Sequence, residues 1–308
     1  MTCYSPKVGF FEKINCIDDE TGEIKEQLRL KFKENKNPLD KNAIVIPCGK
    51  CAGCRADYAS AWSVRCVLEA QKWPKNVFLT LTYDNQHRNP KGLEKRDFQL
   101  FMKKLRNTQK EPIKYFCCGE YGLTTRREHM HAILFNYQPD DLKPFKYNEL
   151  KQRLYTSPKL QKIWGKGFII IGNVTAESCA YVARYCQKKA YRIDTPTGKN
   201  PEFILTSRRP GIAADTFMGP NWETIKRNLG IFIPTAHGVK LKPIPDYIRN
   251  KWKEADRHEY MYMYDRKRIN SKKFQNEKAK ETSKTYWQQN KIRIDNTKKG
   301  LTKLKRIL

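Results

Sequence analysis

Arg126-Arg127-Glu128-His129-Met130-His131-Ala132-Ile133-Leu134-Phe135 sets two histidines, one residue apart, at the head of an apolar run. That pattern predicts a strand. Residues i and i+2 of a strand share a face, so His129 and His131 should project side by side with Met130 turned into the core. Two imidazoles so placed suit a divalent metal. They equally suit the wet face of a half-buried strand, so the neighbouring stretches have to decide between the two.

Upstream, residues 76–83 read as a strand and 94–107 as a helix, with Phe98, Phe101, Met102 and Leu105 as its apolar stripe. Residues 113–120 read as a second strand, and Gly119, Tyr121-Gly122 and Thr124-Thr125 turn it into the histidine strand as a hairpin. Downstream, 146–164 reads as a basic helix and 167–174 as a buried strand. Thr175 then caps a helix from 176 to about 191. This order predicts an α+β fold, an antiparallel sheet with helices packed on it, over residues 48–200.

Residues 1–47 form an N-terminal extension with a turn at 18–22 and short strands at 28–32 and 43–47. A helix at 56–72 places Tyr58, Trp62 and Cys66 on one face. Residues 201–264 form a C-terminal accessory region with a helix at 245–264. The tail, 265–308, is a basic extension, partly helical or disordered, with 15 Lys and Arg against 4 acidic residues and with Tyr286 and Trp287 interleaved.

The formal charge of +29 over 308 residues fits a chain that works against a polyanion, above all nucleic acid. No apolar run is long enough to span a bilayer, so no membrane partner is expected. The N-terminus lacks the apolar centre of a signal peptide, which points to a reducing intracellular compartment. The ten cysteines are then thiols or metal ligands before they are disulfides. Cys48, Cys51 and Cys54, spaced by three around Gly49 and Gly53, are candidate ligands of a structural Zn²⁺. The fourth ligand is left open among Cys66, Cys16 and Cys3, and an iron–sulfur cluster is the less favoured occupant.

The helix after Thr175 carries Tyr181 and Tyr185 one turn apart, with Lys188 following on that face. Such a pair serves core packing well, but a tyrosine can also act as a covalent nucleophile. With a phenol pKa of about 10, it needs a phosphorus made electrophilic by a metal on the phosphate oxygens. Two imidazoles leave that cation short of ligands. Glu120, on the partner strand of the hairpin, is the first choice to complete the set, with Asp84 and Glu177 as alternatives. Arg184, Lys188 and Lys189 on the helix, and Arg126 and Arg127 before the histidines, are candidate phosphate contacts.

Three stretches in this order resemble the three motifs of the HUH endonuclease superfamily: Phe78-Leu79-Thr80-Leu81-Thr82-Tyr83, His129-Met130-His131, and Tyr181-Val182-Ala183-Arg184-Tyr185 with Lys188. The paired tyrosines, and the cysteine run ahead of the first motif, resemble the replication initiation proteins of gokushovirus-type microviruses, small single-stranded DNA bacteriophages. The resemblance covers about residues 48–192. It implies a ferredoxin-like or RRM-like core and rolling-circle replication. In that process Tyr181 or Tyr185 nicks the plus-strand origin with Mg²⁺ or Mn²⁺ at Glu120, His129 and His131, and later rejoins unit genomes. It also implies work in the cytoplasm of the infected bacterial host. No P-loop is present, so unwinding should fall to a host helicase, with synthesis by a host polymerase. The competing readings are a plasmid initiator or single-strand transposase of the same superfamily, a non-catalytic single-stranded DNA-binding protein, and a zinc-knuckle regulatory protein.

Overall fold

A computed structural model describes residues 3–17, 24–33, 40, 42–122, 125–149, 151–189, 196–236 and 238–302. The turn expected at 18–22 lies outside them. The chain divides into two compact units, one made of Met1–Asp57 with Tyr264–Leu304, the other of Tyr58–Met263 with Lys305–Leu308.

In the first unit, β1 (Lys7–Ile17) pairs antiparallel with β2 (Ile24–Lys33) on one side and β3 (Ile44–Ile46) on the other. The sequence reading missed β1 because charged residues interrupt its apolar alternation. Its burial still alternates residue by residue, as a one-faced strand requires. Helix α1 (Ala52–Ala70) begins inside the cysteine run, earlier than expected.

The second unit is organised on a seven-stranded antiparallel sheet. Along the chain come β4 (Asn76–Thr82), α2 (Lys95–Arg106), β5 (Lys114–Tyr121), β6 (Glu128–Phe135), β7 (Lys143–Tyr147), β8 (Arg153–Thr156), α3 (Pro158–Trp164), β9 (Ile169–Asn173), α4 (Ala176–Lys189) and β10 (Phe203–Thr206). The strand order is β10-β5-β6-β4-β9-β8-β7. Its middle four strands, β5-β6-β4-β9, have the order and crossovers of the ferredoxin-like core, so the α+β expectation holds.

The two faces of the sheet differ, and the strand register explains why. Val77, Leu79 and Leu81 of β4 and Met130, Ala132 and Leu134 of β6 point to one side. There they join Phe98, Phe101, Met102 and Leu105 of α2 and Leu160 and Trp164 of α3 in a single buried core. The intervening residues point to the opposite face, where α4 packs on β5 and β6 and Trp62 of α1 lies 5.0 Å, ring to ring, from Phe116. Gly167 lets the chain cross close to the end of β4: a Cβ there would overlap the Thr82 carbonyl oxygen and the Asp84 amide nitrogen.

The basic helix expected over 146–164 is a β-hairpin followed by a shorter helix. Asn148 closes the hairpin turn with Gln152, N to O at 2.9 Å, and Lys151 takes a left-handed conformation, φ 58°. The Ser157-Pro158 step then starts a helix afresh, because the residue before proline avoids the α region. Ser157 caps it by accepting from the Leu160 amide at 3.0 Å. Thr175 caps α4 as expected, its Oγ1 accepting from the Ser178 amide at 3.2 Å while Ser178 Oγ accepts from the Thr175 amide at 2.8 Å.

The accessory segment holds α5 (Trp222–Asn228), the hairpin of β11 (Gly230–Thr235) and β12 (Gly238–Pro243), and α6 (Asp246–Ala255). The helix expected over 245–264 is interrupted at Asp256. That residue ends α6, its amide on the Trp252 carbonyl at 2.8 Å, and opens α7 (Arg257–Lys280) by accepting from the Glu259 amide at 2.8 Å. The described part of the basic tail is helical, in α7 and α8 (Tyr286–Thr302).

Candidate active site

The antiparallel register between β5 and β6 sets Glu120 directly opposite His129, and the β4–β6 register sets Thr80 opposite His131. Directly opposed residues share a face, so all four side chains stand on the α4 side of the sheet. His129 Nε2 lies 2.7 Å and His131 Nε2 3.1 Å from the same Glu120 oxygen, Oε1. Glu120 is 4% exposed and His131 2%. Burial alone would raise the Glu120 carboxyl. The hydrogen bonds to His129 and His131 win and hold it at about 2, so this buried carboxylate stays charged.

The far nitrogens of both rings are also held. His129 Nδ1 is 3.2 Å from the Arg127 carbonyl oxygen, and His131 Nδ1 is 3.0 Å from Thr80 Oγ1. A carbonyl only accepts, so Nδ1 of His129 carries the proton, and Nε2 of the neutral ring is a lone-pair atom. Two acceptors do not face each other at 2.7 Å without a positive centre between them. That centre is either a second proton on the imidazole or a cation held by both groups. Glu120, His129 and His131 therefore suit a divalent cation by donor type, convergence and preset tautomer; their ligand atoms lie within 4.8 Å of one another.

Tyr181 reaches this cluster from α4. Its ring stands edge-on to the His131 ring, centroids 5.4 Å apart, and 6.2 Å from Phe78. Phe78 in turn stacks on His131 at 5.7 Å. The Arg184 guanidinium lies over the Tyr181 ring, 5.4 Å from its centre. The side chains of Tyr185, Lys188 and Lys189 lie outside the described residues.

Other candidates are placed elsewhere. Asp84 is committed to its own loop, accepting from His87 Nδ1 at 2.8 Å and from the Gln86 and His87 amides. Glu177 accepts from the Ala236 amide at 2.9 Å. Arg126 and Arg127 are exposed. Arg127 donates to the Tyr83 carbonyl at 3.0 Å and to Asn85 Oδ1 at 3.1 Å, and Arg126 adopts φ 51°. Sequence reasoning assigned no role to Thr80, whose hydroxyl holds the inner imidazole. Its signal was the Phe78, Thr80, Thr82 alternation, which puts a hydroxyl on the histidine face.

In the first unit, Cys3 joins Cys48, Cys51 and Cys54, with all four sulfurs within 4.8 Å of one another. Burial raises the Cys3 thiol. It would raise Cys51 too, but amide donors from Tyr4 and Cys54 outweigh it and bring that thiol to about 6.

The family model for replication-associated proteins of the ORF2 type matches residues 76–190, the span from β4 to the end of α4. The chain is 34% identical to replication-associated protein VP4 of Bdellovibrio phage phiMH2K over 245 residues, 77% of this chain and 76% of that protein. It is 32% identical to replication-associated protein ORF2 of Spiroplasma virus 4 over 261 residues, 78% and 81% of the two chains. A further match, 33% identical over 152 residues, is replication-associated protein ORF4 of Chlamydia phage 1, covering 47% of this chain and 38% of that one. No solved structure matches. An antiparallel sheet carrying two imidazoles and a buried carboxylate, with a tyrosine helix laid over them, thus sits in the segment the family shares, and the chain belongs to the replication-associated proteins of the small gokushovirus-type phages.

Proposed function

We propose that this replication protein is a tyrosine endonuclease and strand transferase that starts and ends rolling-circle replication. The observation that carries the reading is the contact of Tyr181 with His131 at a cluster whose third member is a charged, buried carboxylate. Glu120, His129 and His131 hold Mg²⁺ or Mn²⁺, which when bound withdraws charge from the scissile phosphate.

The chain's own groups do the rest. The Tyr181 or Tyr185 oxygen attacks the phosphorus in line and gives up its phenolic proton. The bond from phosphorus to the 3′-oxygen breaks, and that oxygen leaves as a 3′-hydroxyl while the 5′-phosphate stays on the tyrosine. The reverse attack, by a 3′-hydroxyl on the phosphotyrosine, reseals a strand without a nucleotide cofactor. A second tyrosine one turn along the helix allows a second cut while the first link stands. Lys188 and Arg184 steady charge on the phosphate, and Lys189, Arg126 and Arg127 grip the DNA backbone. Residues 48–200 are the nicking core, with 201–264 and the basic 265–308 as accessory parts. A host helicase and polymerase supply unwinding and synthesis in the infected cell; no helix among the described residues is long and apolar enough to cross a membrane.

The test is a denaturing gel of purified protein with labelled single-stranded DNA spanning the origin. An SDS-resistant adduct formed with Mg²⁺ or Mn²⁺ and lost in EDTA is expected. Binding without any adduct, on every DNA tried, would leave a non-catalytic DNA-binding protein.

Thr80 offers a finer check. Thr80→Val removes the hydroxyl beside His131 Nδ1, and losing such an outer partner weakens metal binding by about 10- to 100-fold. Thr80→Ser keeps the hydroxyl and should bind Mn²⁺ as the parent does. Calorimetric Mn²⁺ titration of the three proteins decides; equal affinities would remove Thr80 from the site.

A further inference from the structure

We propose that Cys3, Cys48, Cys51 and Cys54 hold one zinc ion as a tetrathiolate, tying the segment ahead of β1 to the turn that opens α1. This inference does not depend on the nicking reading.

The spacing of the sulfurs selects the occupant. Cys48 Sγ lies 4.0 Å from Cys54 Sγ, and Cys51 Sγ lies 3.9 Å from Cys3 Sγ. A tetrahedron with zinc–sulfur bonds of about 2.3 Å has sulfur–sulfur edges of about 3.8 Å. A disulfide needs about 2.05 Å. A polynuclear iron–sulfur core puts several irons and inorganic sulfides between its thiolates and would force them further apart.

The backbone around the sulfurs is arranged for anions. The Cys48 amide points at Cys3 Sγ (3.2 Å), the Tyr4 amide at Cys51 Sγ (3.3 Å), the Cys51 amide at Cys48 Sγ (3.4 Å) and the Cys54 amide at Cys51 Sγ (3.4 Å). Gly49 at φ 73° permits that turn. Four thiolates around Zn²⁺ carry a net charge of about −2, and these four N–H donors stabilise it. Binding releases the thiol protons, so affinity rises with pH.

The cluster also stands where this unit lacks a core. Among the described residues up to 57, the buried apolar side chains are Cys3, Tyr4, Val8, Ala43 and Cys54, two of them thiols. Phe11, Ile17, Ile24, Leu28 and Phe32 are all at least half exposed. So small an apolar centre does not hold a three-stranded sheet by burial alone, and a metal cross-link between residues 3 and 48 supplies the missing constraint. Cys16 and Cys66, the other candidates for the fourth ligand, do not join the group.

The experiment uses the full chain, purified without metal-binding tags. Zinc is measured by elemental analysis, its release is followed during titration with a mercurial, and Co²⁺ is substituted for spectroscopy in the parent, Cys3→Ser, Cys16→Ser and Cys66→Ser. Expected are one zinc per chain, release complete at four thiols per zinc, and the visible band pattern of tetrahedral Co²⁺ on four sulfurs. Cys3→Ser should move those bands to higher energy and weaken zinc binding by at least about 10-fold, while the Cys16 and Cys66 variants match the parent. If Cys3→Ser does not fold, Cys3→His keeps a fourth ligand and should show the bands of three sulfurs and one nitrogen. Zinc-free protein whose melting temperature is indifferent to a chelator would overturn the proposal. So would a cobalt spectrum unmoved by Cys3 substitution, or iron with acid-labile sulfide in place of zinc.

Discussion

The double variant Tyr181→Phe with Tyr185→Phe should form no covalent DNA adduct, its cleavage rate falling by roughly 10⁴-fold or more, the scale of losing a nucleophile outright. Each single variant should still be trapped on DNA, because two phenols one helical turn apart can each be brought to a phosphate. Tyr181 is the one whose ring touches His131. Replacing it by phenylalanine keeps that edge-to-face contact and the packing on Phe78, so the fold should be intact and the loss chemical. Quantitation of SDS-resistant adduct across the four proteins, with circular dichroism as the fold control, is the measurement. An undiminished adduct in the double variant would move the nucleophile to another residue and end the tyrosine-helix mechanism.

Glu120→Ala should have the second largest effect, acting on both metal affinity and stability. It removes the carboxylate of the cluster, and Mn²⁺ affinity should fall by more than about 100-fold, beyond what loss of an outer partner gives. Adduct formation should then demand far higher metal concentrations. It also takes away the carboxylate that faces His131 Nε2, on a residue 2% exposed. Removing one partner of a buried hydrogen bond costs about 1–3 kcal/mol, to be read as a lowered urea midpoint in EDTA. Glu120→Gln separates the two effects. Its amide fills the space and bonds one imidazole, so most of the stability should return, but with no negative charge most of the metal affinity should not. Unchanged Mn²⁺ binding in both variants would show that the cation is held elsewhere.

Much of this site was legible along the chain because its parts obey local periodicities. The two-residue period of β6 was enough to pair His129 with His131 and to bury Met130 behind them. The 3.6-residue period of α4 was enough to align Tyr181 with Tyr185. Helix α2 was readable from its stripe of four buried apolar residues, and the charge of +29 pointed to a polyanionic partner.

What the chain order could not decide are the pairings between segments. Glu120, Asp84 and Glu177 were equal as carboxylates. Only the β5–β6 register, which sets Glu120 opposite His129, separates it from an Asp84 folded into its own turn and a Glu177 tied to the Ala236 amide. Cys3 and Thr80 belong to the same class. Cys3 meets Cys48 across 45 residues, and Thr80 meets His131 across 51. The β7–β8 hairpin was hidden because a basic stretch carries no strand alternation of its own and becomes sheet only by pairing with β9. Periodicity places side chains on a face, since it follows from the geometry of one segment. Which faces meet, and in what register, follows from burying them together, and that free energy exists only once the whole sheet is assembled.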